Sequence, residues 1–250
     1  MPHVNVNGEK IHYAVTDNGS ANNLVLVHGS GGDHTCWPLG DLKSVNANIY
    51  SMDLPGHGDS GGSARQDMAE YAAVVTAMIE ALGLKNVYVG GHSLGGGIAL
   101  SIGIAAPSWL SGLVLVGTGA KLRVNPMIFD ALNKDPAGAV AMMDSVIFGP
   151  DAPQEAKDAM RKLGERTDPA VSIADFTACD RFDVMKELPK IAVPCLVLSG
   201  SADILTSVKY GKFLAEGLPK AELVIIEGAG HAMALEKPQE FTLAVARFLK

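Results

Sequence analysis

Residues 87–97 read Val-Tyr-Val-Gly-Gly-His-Ser-Leu-Gly-Gly-Gly. An apolar, β-branched run leads into a turn so tight that glycines must flank it, and a helix-compatible run follows. Gly91 and Gly95 leave room for the chain to double back around Ser93. This pattern predicts a strained backbone at Ser93, with its hydroxyl exposed above the end of a sheet. The middle of the chain is thereby committed to strand, elbow and helix. A serine hydroxyl is inert at neutral pH unless a base takes its proton. The elbow therefore demands a histidine and a carboxylate, each on a loop after a later strand.

Both partners occur. His231 follows the apolar run at 223–226 through Glu227-Gly228-Ala229-Gly230. Asp203 follows the run at 196–198 through Ser199-Gly200-Ser201-Ala202. Each stands directly after a predicted strand. A carboxylate at 203 also suits a helix cap, and a histidine at 231 also suits a structural role. The strand at 113–116 runs into Gly117-Thr118-Gly119-Ala120, which offers no rival carboxylate. Asp180 and Asp183 are the next acids to consider.

An anion-stabilising loop is expected early in the chain. Residues 24–27 are Leu-Val-Leu-Val, a buried strand, and run into His28-Gly29-Ser30-Gly31-Gly32. Two backbone N–H groups are expected to face a developing oxyanion: that of Ser30 and that of Leu94, the first residue of the helix after Ser93. The first N–H groups of a helix have no partner inside it and point outward.

Together these pieces resemble the α/β-hydrolase superfamily, and the resemblance covers nearly the whole chain. It rests on His28-Gly29-Ser30, Asp53-Leu54-Pro55-Gly56-His57-Gly58-Asp59-Ser60, Gly91-His92-Ser93-Leu94-Gly95, Ser199-Gly200-Ser201-Ala202-Asp203, Gly228-Ala229-Gly230-His231 and Leu235-Glu236-Lys237-Pro238. The chain order serine, acid, histidine is that of this fold. The resemblance implies an α/β architecture: a mostly parallel sheet with helices on both faces, a Ser-His-Asp triad and a helical cap inserted after the sixth strand. It says little about substrate, because one scaffold hosts many reactions. Dehalogenases and epoxide hydrolases of this fold carry aspartate at the elbow, so Ser93 argues against both.

The remaining sequence agrees. A chain of 250 residues suits one domain with an insertion. Residues 1–120 and 188–250 alternate strand-like and helix-like runs, and the runs at 4–6 and 11–16 predict an antiparallel hairpin about Asn7-Gly8. Between them, 121–187 lose the strand-like runs and are broken at Pro136, Pro150, Pro153 and Pro169; they are expected to form the cap. A net charge of −7 without a basic run argues against nucleic acid. Three cysteines without metal-ligand spacing suggest reduced thiols and a cytoplasmic protein. No secretion signal or membrane-length apolar run is expected. No dinucleotide, P-loop or zinc motif occurs, so neither cofactor nor metal is expected.

The cap carries much apolar surface, including Met127, Ile128, Phe129, Leu132, Met142, Met143 and Phe148. Such residues either pack cap on core or line an adaptable acyl or alcohol pocket. Met142, Met143 and Trp37 are the candidate substrate contacts, though Trp37 also suits plain packing. Asp53, His57 and Asp59 are expected to fix their own loop, and His92 to stay out of the chemistry. The expected activity is hydrolysis of a small carboxylic ester, with Ser93 as nucleophile, His231 as base and Asp203 orienting it. A thioesterase, a lactonase, a carbon–carbon hydrolase of diketo acids, and a perhydrolase or haloperoxidase would use the same apparatus. A slow-turnover small-molecule receptor is the alternative outside catalysis.

Overall fold

A computed structural model describes residues 2–250. The chain opens with β1 (His3–Val6) and β2 (Glu9–Thr16), an antiparallel pair in which Val6 stands opposite Glu9. Asn7 and Gly8 make the turn with positive φ, 53° and 88°, as the twist of the two strands requires. β3 (Asn23–Val27), β4 (Asn48–Met52), α1 (Met68–Ala81), β5 (Val87–His92), α2 (Leu94–Ala105) and β6 (Leu110–Val116) follow. Asp67 caps α1 by accepting from the N–H of Ala69 at 2.8 Å, and Gly83 turns the chain just beyond its end with φ 63°.

Between β6 and the next strand the chain forms four helices: α3 (Pro126–Lys134), α4 (Pro136–Ile147), α5 (Gln154–Arg166) and α6 (Pro169–Arg181). Of the prolines that interrupt the pattern, Pro136 and Pro169 begin helices, Pro153 caps the start of α5 from outside it, and Pro150 lies in the turn between α4 and α5. Pro126, Pro136 and Pro169 occupy first positions, where a missing N–H costs nothing and the fixed φ is already helical. Asn125, Asp135 and Asp168 cap the same three helices with their side chains. The chain then returns to β7 (Cys195–Gly200), α7 (Val208–Gly217), β8 (Ala221–Ile226), α8 (Met233–Glu236) and α9 (Pro238–Phe248).

The strands form one sheet in the order β1-β2-β4-β3-β5-β6-β7-β8. β3 through β8 are parallel, and the β1–β2 and β2–β4 pairs are antiparallel. Helices cover both faces, which is why the central strands read as unbroken apolar runs. Successive residues divide between two cores. Val25, Val27, Val89, Leu113 and Val197 pack with Met78 of α1 and Ile98 of α2. Leu24, Leu26, Val114, Val116 and Leu198 pack on the other face with Phe241 and Val245 of α9. Each such side chain contributes roughly 1.5–3 kcal/mol relative to exposure. Among the described residues, no helix is long and apolar enough to cross a membrane.

Candidate active site

Four loops meet at the C-terminal ends of β3, β5, β7 and β8. The first is the elbow. Ser93 has φ 52° and ψ −113°, a conformation that a side chain rarely adopts. A Cβ at Gly91 would strike the carbonyl of Gly95, and one at Gly95 would strike the carbonyls of Val27 and His28. Only glycine fits on either side. The Ser93 N–H donates to the Val116 carbonyl at 2.9 Å. Its own carbonyl accepts from Gly96 and Gly97 N–H at 3.0 and 3.2 Å, and from Thr118 Oγ1 at 2.8 Å. With its backbone held on all sides, Ser93 lines a cavity.

The second loop carries a buried acid. Asp203 Oδ1 accepts from the N–H groups of Leu205 and Thr206, both at 2.9 Å. Asp203 Oδ2 accepts from Thr206 Oγ1 at 2.8 Å and faces His231 Nδ1 at 2.9 Å. Burial alone would raise the Asp203 pKa; the charge of His231, the bond to it and the Thr206 donors outweigh that and hold it well below the usual carboxylate value. An ionised partner at Nδ1 keeps the proton there and leaves Nε2 as the basic nitrogen.

The His231 backbone is tied down as well. Its N–H donates to the Ile147 carbonyl at 2.6 Å, and its carbonyl stands 2.9 Å from His92 Nε2. Glu236 Oε2 accepts from Gly230 N–H at 3.0 Å and from Gly149 N–H at 2.8 Å, bracing the loop against the end of α4. Ser93 and His231 line the same cavity. Among the described residues no hydrogen bond joins Ser93 Oγ to His231.

The fourth loop follows β3. His28 Nε2 accepts from Leu54 N–H at 3.0 Å, so its proton is on Nδ1, which donates to the Gly29 carbonyl at 2.8 Å. Burial, helped by nearby His57, drives the His28 pKa down to about 4 and keeps the ring neutral. Gly32 N–H adds a second bond to the Gly29 carbonyl at 3.0 Å. In a trans peptide the Ser30 N–H points opposite to that anchored carbonyl. The Leu94 side chain is buried in the core, and its N–H is the first of α2.

The cavity over these loops has a volume of about 290 Å³. Gly29, Ser30, Ser93 and His231 line one side, and Ile128, Met143, Ile147, Met160 and Phe176 of the four inserted helices line the other. A second space of about 100 Å³ shares Met143 and Phe176 and continues to Met142, Val140 and Leu163. Met143 thus borders both spaces, and Met142 only the second. Cys36 and Cys179 also line the larger cavity. Burial pushes both thiols up to about 12, so neither supplies a thiolate to compete with a serine.

Trp37 requires a correction. It is 4% exposed, lies on neither cavity and packs 5.9 Å from the ring of Phe241 in α9. The Asp33-capped turn at His34–Cys36 carries the chain beneath the sheet, so Cys36 faces the cavity and Trp37 the core. Asp180 and Asp183 are occupied elsewhere: Asp180 accepts from Val124 N–H, and Asp183 pairs with Lys121. His12, His34 and Asp53 place ligand-type atoms within 4.8 Å of one another. Hydrogen bonds account for that cluster. Asp53 meets His12 Nδ1 at 2.7 Å, His34 Nδ1 at 2.9 Å, and the N–H groups of His34 and Asp59 at 2.6 and 2.9 Å.

Sequence reasoning missed Thr206, Glu236 and the backbone contact of His92. An aspartate followed three residues later by threonine is a turn-capping pattern that could have flagged Thr206. The His92 contact and the bond from Gly149 to Glu236 span 139 and 87 positions and leave no local signal.

Comparison with known proteins adds a family. A family model described as the alpha/beta hydrolase family matches residues 24–244. A solved thermophilic esterase is 35% identical with a TM-score of 0.86, over 99% of this chain and 96% of that one. The pimeloyl-[acyl-carrier protein] methyl ester esterase of Aliivibrio salmonicida is 27% identical over 248 residues, 93% of this chain and 94% of its own. The dihydrolipoyllysine-residue acetyltransferase component of the acetoin cleaving system of Pseudomonas putida is 27% identical over 246 residues; that alignment takes in 91% of this chain but spans 63% of the relative. The family match runs from the first of the parallel strands into α9 and encloses the elbow and both later loops, and on that ground the chain belongs to the alpha/beta hydrolase family.

Proposed function

We propose that this chain is a serine hydrolase that cleaves small, uncharged carboxylic esters through an acyl-enzyme on Ser93. The observation that carries this reading is the 2.9 Å contact of Asp203 Oδ2 with His231 Nδ1, at a cavity that also presents the elbow serine. Ser93 Oγ adds to the acyl carbon as His231 Nε2 takes its proton, and Asp203 stabilises the imidazolium. The Ser30 and Leu94 N–H groups receive the oxyanion, each contributing on the order of 3 kcal/mol in the transition state. Collapse expels the alcohol, which His231 protonates. His231 then activates water, which attacks the acyl carbon and frees Ser93.

The insertion at 121–187 acts as a cap, with Met143, Ile147 and Phe176 against the acyl chain. Among the described residues, only one lysine or arginine lines the cavity: Arg123, exposed and 3.5 Å from Asp180. That favours uncharged substrates over diketo acids or coenzyme A thioesters. The two similar esterases support ester cleavage.

The test pairs labelling with turnover. A fluorophosphonate probe is expected to label the protein and not its Ser93→Ala variant, and kcat/KM is expected to favour p-nitrophenyl butyrate over a short acyl-CoA, a lactone and a diketo acid. Equal labelling of both proteins would remove Ser93 from the chemistry. A preference of about a hundredfold, roughly 3 kcal/mol, for a charged substrate would overturn the ester assignment.

A further inference from the structure

Asp175 takes no part in the steps above, yet it is built into the site. It lies in α6, within the insertion, and is fully buried. An isolated carboxylate there would cost several kcal/mol. Instead it accepts three hydrogen bonds, all from outside the insertion. Gly31 N–H reaches Oδ2 at 2.8 Å, His57 Nε2 reaches Oδ2 at 2.9 Å, and the Tyr71 hydroxyl reaches Oδ1 at 2.5 Å.

His57 explains how the charge is balanced. Its Nδ1 faces the Pro55 carbonyl at 3.1 Å while its Nε2 faces Asp175. Both neighbours are acceptors, which favours a hydrogen on each ring nitrogen. Burial opposes a charged ring, but the bond to Asp175 and its negative charge outweigh burial and raise the His57 pKa.

The bond to Gly31 reaches the chemistry. Gly31 N–H belongs to the peptide immediately after Ser30. The Gly31 carbonyl accepts from Thr167 Oγ1 at 2.9 Å, and Arg166 meets Asp33 at 3.1 Å. Ser30 Oγ itself stands 3.8 Å from Cys179 Sγ in α6. The peptide before Ser30 is held by His28, and the peptides after it are held by the insertion. The direction of the Ser30 N–H is therefore set from both sides.

We propose that Asp175 is a positioning residue: from the insertion it sets the loop whose Ser30 N–H receives the oxyanion, so the cap assembles the site as well as roofing it. This rests on the serine-hydrolase reading. Misplacing one oxyanion donor costs less than deleting it, which typically costs about 10²–10³ in kcat.

Asp175→Asn and Thr167→Val are assayed on p-nitrophenyl acetate, with kcat normalised to sites titrated by a fluorophosphonate, so that a misfolded fraction lowers the titre and not the rate per site. A trifluoromethyl ketone, which adds to Ser93 and places an oxyanion in the hole, supplies the second readout. Asp175→Asn is expected to lower kcat about ten- to a hundredfold with KM within about threefold, and to weaken the ketone in parallel. Thr167→Val is expected to do the same by about three- to tenfold. Unchanged kcat and ketone affinity in folded Asp175→Asn overturn the proposal. If that variant does not fold, the same result in Thr167→Val overturns it. Full turnover by Ser93→Ala would instead sink the serine-hydrolase reading, and this proposal with it.

Discussion

His92 Nε2 lies 2.9 Å from the carbonyl oxygen of His231. The residue that precedes Ser93 therefore grips the backbone of the histidine proposed to activate it. Burial, then the neighbouring His231, push the His92 pKa down to about 3, so the ring is neutral and its Nε2–H is the donor. Because His92 and Ser93 are consecutive, this bond ties the elbow directly to the loop after β8.

Removing that tie should slow the chemistry without weakening substrate binding. His92→Ala is expected to lower kcat on p-nitrophenyl butyrate by about ten- to a hundredfold, as a displacement of order 1 Å does. KM should stay within about threefold. Steady-state kinetics check it; an unchanged kcat would show that His231 needs no anchor.

Thr206 is the second support. Its hydroxyl donates to Asp203 Oδ2 and lies 3.2 Å from His231 Nδ1. Thr206→Val keeps the shape and removes the donor to a charged group, worth about 1.5–3 kcal/mol. The expected result is a fall of about tenfold to a hundredfold in kcat/KM. A variant as active as the parent would mean that the two backbone donors suffice.

Asp203 makes a prediction in acid. Its folded pKa is depressed by His231 and Thr206 against the opposing effect of burial. The stability it contributes is fully present above its unfolded pKa of about 3.9, and is lost as pH falls through the folded value. Denaturant melts of the parent and Asp203→Asn should therefore differ by a constant amount above about pH 5 and converge below about pH 4. The same substitution should lower kcat by roughly three to four orders of magnitude by favouring the wrong imidazole tautomer. A stability gap that widens in acid would contradict the sign.

Met143 and Trp37 form a contrasting pair. Met143 borders both spaces beneath the inserted helices, whereas Trp37 borders neither. Met143→Trp should lower kcat/KM for p-nitrophenyl octanoate by about tenfold more than for the acetate. Trp37→Phe should leave that ratio alone and cost about 1–3 kcal/mol in urea denaturation. A chain-length shift in the Trp37 variant would restore it as a substrate contact.

By itself the sequence determined the elements and the three loops that carry Ser93, Asp203 and His231. Those features are local. Gly91 is required by contact with the Gly95 carbonyl at the turn itself, and Pro126, Pro136 and Pro169 start helices through their own φ. Side-chain facing was not legible. The tertiary structure decided that Trp37 enters the core while Cys36 meets the cavity, and that His92 reaches His231 from 139 positions away. It also decided that Asp175 of α6 meets a loop 144 positions earlier. Backbone sterics act within a few residues and leave a pattern in the chain. The partner of a buried polar group is set by which distant element folds over it, and no spacing in the sequence encodes that distance.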